Sequence, residues 1–145
     1  HLKKLLLIKK ERDDLQRVIE EIAAASKLGS VKLKELARQS PAFTLERDPL
    51  PASEIQTREA IERTRTRDLL RNSGGDFELE LLLSQSEALT YAWHLAEVCS
   101  ANDSNVERSR YLAQFSGQMR DLRRDVFSLI RARRQPDSVQ SRNSL

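Results

Sequence analysis

The chain has 145 residues, 32% of them charged and 5% aromatic, with 25 Lys and Arg against 22 Asp and Glu for a formal net charge of +3. That length suits one domain hiding about 70% of its unfolded surface, and four glycines with four prolines are too few turn residues for a set of short strands. No apolar run approaches the roughly 18 residues that a bilayer span needs, so direct membrane insertion is not expected, and a lone Cys99 rules out an internal disulfide and favours a reducing, cytoplasmic setting.

The first segment, 2–28, carries Leu5, Ile8, Leu15, Ile19 and Ile22 at alternating steps of three and four once Arg12 counts as a filled position, which predicts a helix with an apolar seam. Arg12 reads as snorkelling from the edge of that seam, with a register-setting ion pair as the sharper alternative. Gly29 is the expected stop and Ser30 the expected cap of a short helix over 31–39. Pro41, Pro49 and Pro51 make 40–52 an extended loop and the most movable part of the chain. Ser53 with Gln56 forms a capping box for a helix to about Arg71, whose apolar residues are Ile55, Ala60, Ile61, Leu69 and Leu70. A turn over 72–75 follows. Asp76 then caps a helix reaching Cys99, although Phe77 to Leu81 briefly alternate as a strand would. Ser104 and Glu107 supply a second box, opening a last helix to about Arg134 ahead of Pro136, and 136–145 reads as a disordered tail.

The two last helices fit each other. One has Leu112, Phe115, Met119, Leu122, Val126 and Leu129, the other Leu82, Gln85, Leu89, Ala92, Ala96 and Cys99, both alternating by three and four. Folding back near Asn102 pairs Leu89 with Phe115 and Leu82 with Leu122, each pair summing to 204. Charge agrees: between Asn72 and Glu107 there are seven acids and no Lys or Arg, whereas Arg108 to Arg134 holds eight arginines against Asp121 and Asp125. A second apolar face of the first of these helices, Leu81, Ala88, Leu95 and Val98 with Trp93 nearby, calls for cover from the first and third helices. The expected fold is all-α, an antiparallel up-and-down helical bundle of three to four long helices plus one short helix, forming a single domain over 1–135.

Chemistry is sparse. His94 with Glu97 and Glu87 hints at a metal site, but carboxylate-bridged di-metal bundles need about two His and four carboxylates, so His94 reads as a rim histidine and no metal or cofactor is expected. Gly74 and Gly75 do not make a phosphate cradle. Cys99 falls on the seam, where a thiol is buried and inert. No nucleophile, base and orienting group can be assembled, which argues against an enzyme.

The expected function is therefore a helical protein–protein interaction module, an adaptor or assembly subunit binding another helical protein or itself. In the 204 register the last helix outruns its partner, leaving Phe127, Leu129 and Ile130 followed by Arg131, Arg133 and Arg134 as an apolar anchor with a basic rim. The competing reading has the first helix or the proline loop folding over them. One alternative is nucleic-acid binding by helix 53–71 through Gln56, Thr57, Arg58, Arg63, Thr64, Arg65, Thr66 and Arg67. Against it stand Glu54, Glu59, Glu62 and Asp68 on the same helix, where Glu54 to Arg58 and Glu59 to Arg63 are spaced for intrahelical pairing. A start at His1 rather than Met leaves, as a second alternative, a soluble domain of a membrane-anchored protein.

Overall fold

The computed structural model describes residues 2–43, 51–71 and 75–133, the side chains at 3–5, 7, 8, 69 and 70 excepted. Four helices occupy them: α1 (Leu2–Leu36), α2 (Ala52–Arg71), α3 (Gly75–Asn102) and α4 (Val106–Arg133). No strand occurs among the described residues, and 76–83 are helical. Most of the expected loop over 40–52 and of the expected turn over 72–75 lies outside them, as do Arg134 and the tail 136–145.

The antiparallel hairpin of α3 and α4 is the centre of the fold. Its hinge is set by Asn105, whose side-chain oxygen accepts the Arg108 backbone N–H at 2.9 Å while its own N–H donates to Asp103 Oδ1 at 2.9 Å. Asn105 is thus the N-cap of α4. The Ser104–Glu107 capping box does not form, because α4 starts one residue later than it requires and Glu107 accepts from Gln39 Nε2 at 2.9 Å instead.

The pairing register also differs from 204. Ser100 meets Ser109, each hydroxyl donating to the other's carbonyl at 2.8 and 2.7 Å. Arg123 Nε donates to Thr90 Oγ1 at 2.7 Å, and Arg133 binds Glu78 at 3.0 Å. Those pairs sum to 209, 213 and 211, so α4 is displaced from the 204 pairing by five to nine residues, about one and a half to two and a half helical turns. The cause is the hinge: α3 continues to Asn102, so the chain reverses around 103–105 rather than around Asn102. Phe115 therefore falls beside Ala92 and Ala96, with which it lines a hollow, rather than opposite Leu89, and the buried stripe of α3 is Leu82, Ser86, Leu89 and Ala96. On α4 it is Leu112, Ser116, Met119, Leu122, Val126 and Ile130. Serines take seam positions that the apolar pattern assigned to Gln85, Cys99 and Phe115. Small side chains let the helices approach, and Ser86 satisfies its hydroxyl on the Leu83 carbonyl at 2.7 Å.

Against this hairpin α1 packs on α4, in the opposite sense, through Leu15, Val18, Ile22 and Ala25. It is one helix to Leu36, so Gly29 neither stops it nor separates a short helix at 31–39. The glycine serves a close approach: a Cβ there would sit 2.5 Å from Phe115 Cε2, so the α4 ring occupies the space a side chain would need. Arg12 is exposed and takes no seam position.

The fourth helix is barely engaged. The Pro51 carbonyl accepts from the N–H of Glu54 at 2.8 Å and of Ile55 at 3.2 Å, so α2 begins ahead of Ser53 and the Ser53–Gln56 box is not its start. It runs antiparallel to α3, joined by Arg65 to Glu87 at 2.8 Å. Every described α2 side chain except that of Glu54 is exposed. Across the molecule the order is α1, α4, α3, α2, each antiparallel to its neighbour, and α1 makes no close backbone approach to α2 or α3. The up-and-down bundle is open along that side.

Candidate partner-binding surface

An α-helix flanked on both sides needs two apolar stripes, and α3 has them. One, described above, faces α4. The other steps by four and three through Phe77, Leu81, Ser84, Ala88, Tyr91, Leu95 and Val98, a seam with the periodicity of a second helix–helix contact. Over its second half, from Ala88 to Val98, the expectation that α1 and α2 cover it is overturned. α1 lies over α4, and α2 touches α3 through charged and polar groups near Glu87. As a result Tyr91 is 67%, Leu95 48% and Val98 60% exposed. Contiguous exposed apolar surface of this kind is uncommon on a monomeric protein and often functional.

The ridge formed by Tyr91 and Leu95 has an open hollow on each side. Towards α1 lies one of about 620 Å³, walled by Leu33 and Phe43 and floored by Ala92, Ala96, Leu112 and Phe115. On the other flank is one of about 700 Å³, bordered by Thr90, His94, Arg123 and Phe127. Arg123 fixes the second wall: besides its bond to Thr90, its guanidinium carbon sits 4.5 Å from the centre of the Phe127 ring and 5.9 Å from that of Trp93, a cation–π arrangement.

A buried arginine closes the first hollow at its end. The last turn of α1 leaves carbonyls without helical partners. Arg108, 3% exposed, donates from Nη1 to the carbonyls of Leu36 at 3.3 Å, Gln39 at 3.2 Å and Pro41 at 3.0 Å. Its other edge holds Asp103 in a fork, Nη2 to Oδ1 at 2.8 Å and Nε to Oδ2. The Phe43 ring centre lies 4.6 Å from the guanidinium carbon, and Asn105 Nδ2 donates to the Ser40 carbonyl at 2.9 Å. One side chain thus terminates α1, ties the segment after it to the hairpin hinge, and stacks Phe43 at the mouth of the hollow. The hydrogen bond from Arg108 holds the Asp103 carboxyl below its ordinary range, and the same bond raises Arg108.

No family model, curated protein or solved structure matches the chain.

Of the expected anchor at the end of α4, Ile130 is 3% exposed and belongs to the core with Leu15 and Val18, while Leu129 and Phe127 are half-buried against that core. Arg133 is engaged by Glu78, and Arg131 is exposed. Ile130 is thus core under α1 rather than an open anchor, whereas Phe127 borders the 700 Å³ hollow. His94 is exposed at the rim, its ring stacked on Trp93 at 4.3 Å and its Nδ1 3.4 Å from Glu97 Oε2. Among the described residues no three of His, Cys, Asp and Glu come together as a metal-holding group. Cys99 is exposed and lines the 620 Å³ hollow, not the seam; its neighbour Ser100, bonded to Ser109, is the residue turned to α4. No helix among the described residues is long and apolar enough to cross a membrane.

Sequence reasoning found Leu81, Ala88, Leu95 and Val98 but passed over Tyr91. The signal was present: Tyr91 completes the four-and-three alternation between Ala88 and Leu95. For Arg108 no local pattern exists, since its partners come from Leu36 to Pro41 and from Asp103.

Proposed function

We propose that the chain is a non-catalytic helical protein–protein interaction module, an adaptor or assembly subunit that accepts a partner helix against the outer face of α3. The observation that carries this is the exposed seam of Tyr91, Leu95 and Val98 beside an apolar hollow on the unclosed side of the bundle. A helix laid there would take the place that a closed four-helix bundle fills from within, by the helix-in-groove mode that anchors residues at i, i+3 or i+4, and i+7. Tyr91 is the natural anchor, because a rigid aromatic ring brings large contact area at low entropic cost and interface energy concentrates in such residues. A cytoplasmic setting belongs to the same proposal.

Nucleic-acid binding by α2 is the competing reading, favoured by a helix whose face is fully available. Its arginines speak against it. Arg58 is 2.7 Å from Glu54, Arg63 is 3.9 Å from Glu59 and Arg65 is 2.8 Å from Glu87, so phosphates would compete with carboxylates already in place.

The test is a matched pair of surface substitutions. Leu95→Asp should abolish partner binding with the thermal transition preserved, and Ile61→Asp on α2 should leave it unchanged. Binding that survives Leu95→Asp but is lost on Ile61→Asp transfers the site to α2 and ends the proposal.

A further inference from the structure

Taking the proposed docking face as given, we infer that its occupant is a helix of a different protein with an apolar seam flanked by Arg or Lys, rather than a second copy of this chain. The inference rests on charge. From Gly75 to Asn102, α3 contains no Lys or Arg and carries Asp76, Glu78, Glu80, Glu87 and Glu97. Each helix that already lies along it brings arginine to meet it. From α4, Arg133 binds Glu78 at 3.0 Å and Arg123 donates to Thr90 at 2.7 Å. From α2, Arg65 binds Glu87 at 2.8 Å. The sector of α3 from Ala88 to Val98 that no helix covers belongs to the same acidic helix, with Glu87, shared with Arg65, and Glu97 on its flanks and Arg123 beside one of its hollows. Pairing that sector with its own copy would set two such acidic helices side by side, and like charges at a helix seam repel. A basic-flanked helix removes the conflict and adds attraction.

Geometry limits the length of the occupant. From Ala88 to Val98 the exposed seam covers about three turns, roughly 15 Å, and the ring of Phe43 with the Arg108–Asp103 fork closes the hollow beyond it. The partner therefore engages by three or four apolar residues.

The probes are two synthetic amphipathic helices of equal length and identical Leu and Ala seam, one flanked by Arg and the other by Glu, titrated into the full chain by fluorescence anisotropy at low and high salt. The Arg peptide should bind about tenfold tighter or better at low salt, as expected for a few exposed ion pairs, and the gap should shrink as salt rises. Glu87→Lys combined with Glu97→Lys should cancel or invert the preference. Leu95→Asp should remove binding although it adds a negative charge, which separates docking on the seam from diffuse attraction. Equal binding of both peptides, lost in Leu95→Asp, would overturn the charge inference and leave the docking reading standing. Sedimentation showing a dimer that Leu95→Asp dissolves would make the second copy the occupant and overturn the inference, again with the face confirmed. A monomer that binds neither peptide would overturn both.

Discussion

Replacing Gly29 by alanine asks whether α1 truly presses its backbone on α4. A methyl group at that position would stand 2.5 Å from Phe115 Cε2, 3.1 Å from Cζ and 3.2 Å from Cδ2. Ordinary carbon contacts begin near 3.5 Å, so ring or helix would have to yield by about 1 Å. In an unencumbered helix interior Gly→Ala stabilises by about 1 kcal/mol. Here the overpacking cost of about 1–3 kcal/mol opposes it, and Gly29→Ala should be neutral to destabilising by about 2 kcal/mol. Removing the ring reverses the sign: in a Phe115→Ala background the same Gly29→Ala change should recover the full propensity gain of about 1 kcal/mol. Urea unfolding followed by circular dichroism on the four members of this cycle gives the coupling. Stabilisation by about 1 kcal/mol in both backgrounds would refute the close approach while still leaving Gly29 inside a helix.

Leu82 is fully buried, and Leu82→Ala should cost about 2–5 kcal/mol in urea unfolding, whereas Ile61→Ala on the exposed face of α2 should change stability by less than about 0.5 kcal/mol. The Asp103 carboxyl is depressed in the folded chain by the Arg108 hydrogen bond. Its contribution is therefore complete above the unfolded value of about 3.9 and lost as pH falls through the lower folded one; Asp103→Asn should flatten the acid limb of a stability-against-pH curve and leave its slope near neutrality unchanged. His94→Ala should shift stability by no more than about 0.5 kcal/mol, because its Glu97 contact is exposed at both partners.

The fold class was legible because helix periodicity is a local property. The four-and-three steps and the switch from acidic to basic at Arg108 foretold the α3–α4 hairpin, and the i to i+4 spacing foretold the Glu54–Arg58 and Glu59–Arg63 pairs. What failed was the rotation of each helix about its axis. Three residues of extra length at the end of α3 moved the hinge, and a seam pattern filled with serine carried no hydrophobic signal. Thus Cys99 was placed inward and Phe115 against Leu89. Gly29 carries the signature of a helix stop, and only the α4 ring beside it reveals its other use. The end of α4 seemed to overhang for the same reason, since a 204 register shortens the overlap of the two helices. Of the candidate surface, the second stripe of α3 was visible, but whether other helices cover it depends on contacts distant in sequence that no local pattern encodes.

The reactivity of Cys99 bears most directly on whether that surface is open. Being the only thiol in the chain and lining the hollow beside Leu95, it reports on cover over the outer face of α3 without any substitution. A thiol-reactive dye should label the folded chain at a rate close to that in urea, and a bound partner helix should slow it. A thiol that reacts only as fast as the whole chain unfolds would mean that the chain already buries this face, and the docking proposal would fall.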